Sequence, residues 1–312
     1  MKIGVIGSIN RDTVLLADKT LKQGWGGILY NLITLSHLIG KRAEIFPVCN
    51  IGRDCGNEIN GILRQLPGVR VDYIHEVPAR NNHCYLTYSA DGEKTEILKG
   101  GVPPLRFDDV APLLDSDMIL INYISGRDIY LKSLQKLRKL YAGPIFMDIH
   151  SATLGKRPNG ARFFRRPPYW QKMIKAADYI QMNRRELAIL NGRREWPLSP
   201  KIRLIDECSL LFRHLNSAGV TISNKAFIVT TGIDGCHIAR PGDGRLMLKH
   251  ITPSKPIKDG DTTGCGDCFS AGMVAELAKG ASIYNSAVKG NEVAGRRVAG
   301  SRLYIKLSLK PD

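Results

Sequence analysis

The chain has 312 residues, 43% of them hydrophobic, enough to bury a large core in one big domain or two small ones. Its 45 Lys and Arg against 29 Asp and Glu leave a net charge of +16, which suits an anionic ligand such as a nucleotide but does not by itself separate that from nucleic acid or an acidic partner. Seven scattered cysteines argue against a disulfide scaffold, Met1-Lys2 runs straight into a strand rather than a signal peptide, and no apolar run reaches membrane-spanning length, so a cytoplasmic protein without membrane contact is expected.

Ile3 to Ile6 reads as a buried first strand, followed by Gly7-Ser8-Ile9-Asn10-Arg11-Asp12. Asn10 and Asp12 fall just past the strand's C-terminal end, where open α/β sheets bind ligands, and an amide and a carboxylate there can hold sugar hydroxyls. An Asx turn is the plainer alternative. Between Asp12 and Gly26 there is room for little more than one short strand. Gly24-Trp25-Gly26-Gly27-Ile28-Leu29-Tyr30-Asn31 then opens a helix whose apolar positions include Leu32, Leu35, Leu38 and Ile39, ending at Gly40. Glu44 to Cys49 reads as a strand, Ile51 to Gly56 as a turn and Glu58 to Leu66 as a helix. Val71 to Val77 and His83 to Ser89 alternate as β segments, and Asp91-Gly92 is a hairpin signal leading to Thr95–Leu98. Part of this region is expected to form a small lid sheet, from segments at about 12–22 and 83–99.

Strands at Met118–Tyr123, Pro144–Ile149, Tyr179–Met182 and Ala226–Thr230 then alternate with helices at 128–141, 170–177, 184–191 and 205–217. That is the pattern of a parallel sheet covered by helices on both faces. No Walker A sequence is present, because Gly40-Lys41 and Gly155-Lys156 are both followed by Arg. Gly155 to Trp170 interleaves Lys156, Arg157, Arg162, Arg165 and Arg166 with Phe163, Phe164, Tyr169 and Trp170. Such a stretch suits single-stranded nucleic acid, but a solvated basic loop anchored by its aromatics is favoured. Asn183-Arg184-Arg185-Glu186 follows a strand and has the spacing of a capping box. Thr230-Thr231-Gly232-Ile233-Asp234-Gly235 follows another strand, as a hairpin or a nucleotide loop.

The most informative stretch is Lys258 to Ala271, K-D-G-D-T-T-G-C-G-D-C-F-S-A. Gly264-Cys265-Gly266 lies where an extended loop turns into a helix carrying Phe269, Met273, Val274 and Leu277. The first N–H groups of a helix lack internal partners and carry the positive end of its dipole, and glycines let that backbone approach an anion. Asp267 then stands as a carboxylate base beside an oxyanion site, the pair that phosphoryl transfer needs. A helix N-terminus also lowers a thiol's pKa, so Cys265 is expected to react readily.

This stretch resembles the D-T-x-G-A-G-D signature of the ribokinase-like (PfkB) carbohydrate kinases, with Cys265 in place of Ala. Gly26-Gly27 with Asn31 resembles the family's G-G-x-x-x-N motif, Gly52 to Gly56 its G-x-D-x-x-G turn, Asn183 and Glu186 its N-x-x-E, and Thr231-Gly232 with Gly235 its nucleotide loop. The motifs occur in family order over nearly the whole chain. The resemblance implies a three-layer α/β/α domain with a mainly parallel central sheet and a small, reduced β lid. It implies transfer of the γ-phosphoryl of ATP to a hydroxyl of a sugar or sugar-like molecule, with a nucleoside as the alternative acceptor. A non-catalytic ligand- or nucleic-acid-binding protein on this fold is disfavoured by the intact Gly-x-Gly-Asp. In this reading Asp267 is the base and the N–H groups around Gly264, Cys265 and Gly266 stabilise the moving phosphoryl. Asn10, Asp12, Gly26, Gly27 and Asn31 hold the acceptor. Asn183, Glu186, Thr231, Gly232, Gly235 and Asn291 serve the nucleotide, and Glu186 organises Mg²⁺ through water. Asp261 and Thr263 match half of a monovalent-cation site for K⁺, and the shortened lid leaves the family's homodimer open.

Overall fold

A computed structural model describes residues 1–89, 94–193, 202–242, 245–257 and 260–300. β1 (Lys2–Ile6) is followed by β2 (Ile9–Leu15), β3 (Leu21–Gly27), α1 (Ile28–Ile39), β4 (Glu44–Gly52), α2 (Gly56–Leu63), β5 (Ile74–Val77), β6 (His83–Tyr88) and β7 (Lys94–Lys99). Then come α3 (Phe107–Val110), β8 (Met118–Asn122), α4 (Leu131–Leu140), β9 (Ile145–Asp148), β10 (Leu154–Lys156), β11 (Arg162–Phe164), α5 (Trp170–Lys175), β12 (Tyr179–Asn183), α6 (Arg184–Leu190) and α7 (Leu204–Ser217). The described chain closes with β13 (Ala226–Thr230), β14 (Cys236–Pro241), β15 (Leu246–Ile251), α8 (Cys265–Leu277) and α9 (Ile283–Val298).

The central sheet has nine strands in the order β15-β14-β13-β12-β9-β8-β1-β4-β5. From β13 to β5 every pair is parallel; the hairpin β14–β15 adds antiparallel strands at one edge. Strands buried on both faces need an unbroken apolar run, and β8 supplies one in Met118-Ile119-Leu120-Ile121. Its side chains alternate between two cores. Met118 and Leu120 join Leu32, Leu35, Val274 and Ala287 from α1, α8 and α9. Ile119 and Ile121 join Leu134, Ile174, Leu187 and Leu211 from α4, α5, α6 and α7. The result is the expected three-layer α/β/α arrangement. The chain leaves β1 in both directions, through β4 on one side and β8 on the other. The crevice at that reversal, outside the strands' C-terminal ends, is where such sheets receive ligands.

Above that edge lies a four-stranded sheet, β3-β2-β6-β7. Where the sequence left room for one short strand between Asp12 and Gly26, the structure runs β2 and β3 as an antiparallel pair with Asp12 opposite Gly24. The pair is closed tightly, with the Leu16 N–H donating to the Thr20 carbonyl at 2.9 Å. Ile74–Val77 pairs with β4 in the central sheet rather than with the lid. The Asp91-Gly92 turn lies outside the described residues. The lid is rooted by Asn81, whose side chain accepts from the Gly52 N–H at 3.0 Å and donates to the Ile9 carbonyl at 2.9 Å. The basic stretch forms the hairpin β10–β11 and braces the lid: the Leu98 N–H donates to the Gly160 carbonyl at 2.9 Å. Arg162 donates to the Ser125 and Ser151 carbonyls and faces Glu96 of β7 at 3.8 Å. Among the described residues no helix is long and apolar enough to cross a membrane.

Candidate active site

Helix α8 begins after Gly264, whose φ of 76° is left-handed and whose added Cβ would meet the Tyr30 ring at 2.7 Å. Glycine is required there on both counts. No side chain caps the helix, and the N–H groups of Gly266 and Asp267 meet no acceptor among the described residues. They point their unspent donors, with the helix dipole, into the crevice.

Asp267 is 5% exposed and is held by two amides from distant parts of the chain. Asn122, at the end of β8, donates its Nδ2 to Asp267 Oδ1 at 2.8 Å and to Asn31 Oδ1 at 3.0 Å. Asn31 donates its Nδ2 to the Asp267 carbonyl at 2.7 Å and to Ser270 Oγ at 2.9 Å. Asn31, assigned to the acceptor by the sequence, therefore has both ends of its amide engaged in fixing α8. Burial pushes the Asp267 carboxyl above the usual range, while the His150 ring, the Asn122 amide, Lys94 and Arg297 pull it down.

Two more carboxyl groups stand within electrostatic reach. Asp148 ends β9, where Gln181 Nε2 donates to its Oδ2 at 2.7 Å and also to the Gly266 carbonyl at 3.1 Å. Burial raises the Asp148 carboxyl well above its ordinary value, and the charges of Glu186 and Asp267 add to the rise. Glu186 is pushed up to about 7, chiefly by burial. Asn183 and Glu186 form the capping box that their spacing suggested: the Asn183 N–H and Nδ2 donate to the Glu186 carboxylate at 2.8 and 2.7 Å, and the Glu186 N–H donates to Asn183 Oδ1 at 2.9 Å. Gln181 Oε1 is buried without a partner among the described residues. Three carboxyls disfavoured by desolvation and by one another are a donor set that a hard divalent cation would relieve. No three such groups among the described residues converge closely enough to grip a bare ion, so Mg²⁺ fits here through its waters.

On the lid side, Asn10 is 5% exposed with its Oδ1 unpartnered among the described residues. Asp12 lies on Gly26, where any Cβ would collide with its Oδ2 at 1.9 Å. Gly27 turns the chain into α1 at φ 67°, with a Cβ position 2.2 Å from the Ser8 carbonyl. The Asp12 carboxyl is raised to about 8 by burial, then by the charges of Glu96 and Asp267, with Lys94 opposing. Asp12 and Asp267 thus border one cleft, with Lys94 and Glu96 of β7 over it.

The remaining residues lie to the other side. Thr231 closes its loop with N–H and Oγ1 donating to the Gly235 carbonyl at 2.8 and 3.0 Å, and Gly232 and Gly235 take φ of 65° and 87°. Asn291 donates to the Ile251 carbonyl at 2.9 Å, tying α9 to β15 beside Gly235. Asp261 accepts from the Thr263 N–H at 2.9 Å. Burial pushes the Cys265 thiol up to about 11, with Arg297 lowering it and Asp261 and Asp267 also raising it, a direction opposite to the lowered pKa expected at a helix N-terminus. The sequence reading passed over Asn122, Gln181, Tyr30 and Arg297. Asn122 did carry a signal: it is the polar residue that ends an apolar strand, as Asp148 ends β9.

Known proteins resemble this chain over most of its length. The model of the pfkB family carbohydrate kinases matches residues 2–304. A ribokinase of Bacillus subtilis is 25% identical over 299 residues, covering 90% of this chain and 87% of its own. A cytidine kinase of Thermococcus kodakarensis is 24% identical over 284 residues, covering 88% of each chain. The structure of Arabidopsis thaliana ribokinase complexed with ribose and ATP superposes with a TM-score of 0.71 at 17% identity, over 95% of this chain and 92% of that one.

Proposed function

The chain belongs to the pfkB family of carbohydrate kinases, and on that premise we propose that it transfers the γ-phosphoryl of ATP to a hydroxyl of a sugar or sugar-like molecule, with Asp267 as the general base. The observation that carries this reading is the placement of a buried, amide-held carboxylate at the uncapped N-terminus of α8. Asn122 sets which Asp267 oxygen stays available, and burial keeps that oxygen basic enough to take a hydroxyl proton. The free Gly266 and Asp267 N–H groups supply the dipoles that meet charge on the transferring group, the Cys265 N–H expected beside them being spent on the Thr262 carbonyl at 3.1 Å. Asn10 and Asp12 orient the acceptor from the lid side, where the unpartnered Asn10 Oδ1 offers a hydroxyl an acceptor. Glu186 and Asp148 would hold Mg²⁺ through its waters, where the ion would supply charge neutralisation at the phosphates. Thr231, Gly232 and Gly235 lie along the nucleotide, with Asn291 positioning the wall behind them.

A nucleoside acceptor is the second reading, favoured by the cytidine kinase among the relatives. ADP release measured over a panel of pentoses, hexoses, cyclitols and nucleosides tests both. Turnover of a sugar supports the first reading and turnover confined to nucleosides the second; ligand binding without ADP release from any acceptor would sink both.

A further inference from the structure

The matched family motif implies a monovalent cation beside Asp261 and Thr263, but the side chains around Asp261 do not suit one. Its Oδ1 is taken by the Thr263 N–H at 2.9 Å. Its Oδ2 faces two cations of the chain itself, Arg297 Nη2 at 3.4 Å and Lys22 Nζ at 4.0 Å. A K⁺ ion seeking that carboxylate would meet positive charge already in place, and like charges a few ångströms apart repel.

Arg297 is placed to act where the ion would. Its side chain is 14% exposed and packs over the Tyr30 ring at 5.3 Å. The same ring lies against Gly264, the residue from which α8 starts. The loop also lies hard against the last turn of α9, since a Cβ on Gly260 would stand 2.3 Å from the Val298 carbonyl oxygen. Arg297 therefore bridges the end of α9 to the loop that presents the Gly264–Gly266 amides. Its charge also reaches the site, for it lowers the pKa values of both Asp267 and Cys265. Its Nε is buried and unpartnered among the described residues, so the guanidinium has donor capacity to spare.

We propose that the Arg297 guanidinium is a built-in replacement for the monovalent cation: it holds Asp261 and orders the anion-hole loop, and the protein works without K⁺. Arg297 is a positioning residue in this role, since it acts through Asp261, Tyr30 and the loop. A guanidinium is always charged and cannot diffuse away, so the loop stays ordered whatever the salt.

The inference rests on the kinase reading, so its test has a readout that needs no turnover. Wild type, Arg297→Met and Arg297→Lys are compared in KCl and in tetramethylammonium chloride at equal ionic strength, by steady-state rate and by thermal unfolding midpoint. Wild type should show the same rate, within about twofold, and the same midpoint in both salts. Arg297→Met should be slower by about tenfold or more in tetramethylammonium, and should regain rate and midpoint with K⁺ or millimolar guanidinium. Arg297→Lys, which keeps a charge, should respond less. A stimulation of wild type by K⁺ of about fivefold or more, or a K⁺-specific rise in its midpoint, overturns the proposal. So does an Arg297→Met variant as fast as wild type in tetramethylammonium. If wild type turns over no acceptor, the kinase reading falls while the unfolding midpoints still decide this one.

Discussion

The floor of the cleft and its lid are built to different standards. The floor is helix α8, buried without interruption from Asp267 to Ala275 and pinned by Asn31 and Asn122, both 0% exposed. Among the described residues the lid has a core of four buried side chains, Val14, Cys84, Leu86 and Leu98, and shows Leu15, Leu21 and Ile97 to solvent. Local opening costs least where few apolar contacts must be broken. In the proposed mechanism, proton transfer and phosphoryl stabilisation, which tolerate little misplacement, fall on the rigid side. The proposed contacts to the acceptor, which must admit and release it, fall on the yielding side.

The contrast predicts which kinetic constant each region controls. Asp267→Asn keeps the shape of the floor and removes the base, so kcat should fall by about a thousandfold or more while ATP still binds. Near-wild-type turnover in that variant would take the base out of the floor altogether. Asn122→Leu should lower kcat by about 10- to 100-fold with little change in either KM, and cost about 1–3 kcal/mol of stability through the groups left unpaired. It has a second signature. The Asn122 amide favours the ionised form of Asp267, so its loss should move the acid limb of the kcat/KM profile to higher pH. An unmoved limb would mean that Asn122 is only a packing residue.

Lid variants should do the opposite. Asp12→Ala should raise the acceptor KM by about 10- to 100-fold and leave the ATP KM unchanged. Equal shifts in the two would erase the division between floor and lid. The smallest effect is on stability. The Asp12 carboxyl, raised to about 8 from an ordinary 3.8, holds a proton in the folded state that the unfolded chain has released. Its contribution is therefore fully present below about pH 4 and is lost as pH rises through about 8. Asp12→Asn should flatten the fall in urea midpoint between about pH 4 and 8; an unchanged slope would place the titration elsewhere.

How readable each region was follows from how local its determinants are. Gly264-Cys265-Gly266-Asp267 is contiguous, and a loop entering a helix is a property of neighbours, so the floor's motif could be located from sequence. The Asn183–Glu186 box is local in the same way. The lid hairpin was harder because Lys22-Gln23-Gly24 has little strand propensity and pairs only because β2 lies alongside. Asn122 and Arg297 act across the fold, and in sequence they look like a strand end and a solvated helical cation. Cys265 shows the converse. Its local dipole argues for an acidic thiol, and only the packing around it shows the burial that raises it.

The amide pins of the base also bear on how the protein is made. Asn31 and Asn122 meet Asp267 across 236 and 145 residues of chain. During synthesis from the N-terminus both amides are in place long before α8 emerges, and α8 and α9 also cover the sheet face that includes Leu120 and Phe146. Until then the part of that face left uncovered by α1 is exposed, which makes the partly made chain prone to aggregate. Closing so large a loop is slow and comes late, so catalysis should appear only as the last long-range contacts form. Activity regained during refolding would then serve as a clock for the final step of folding.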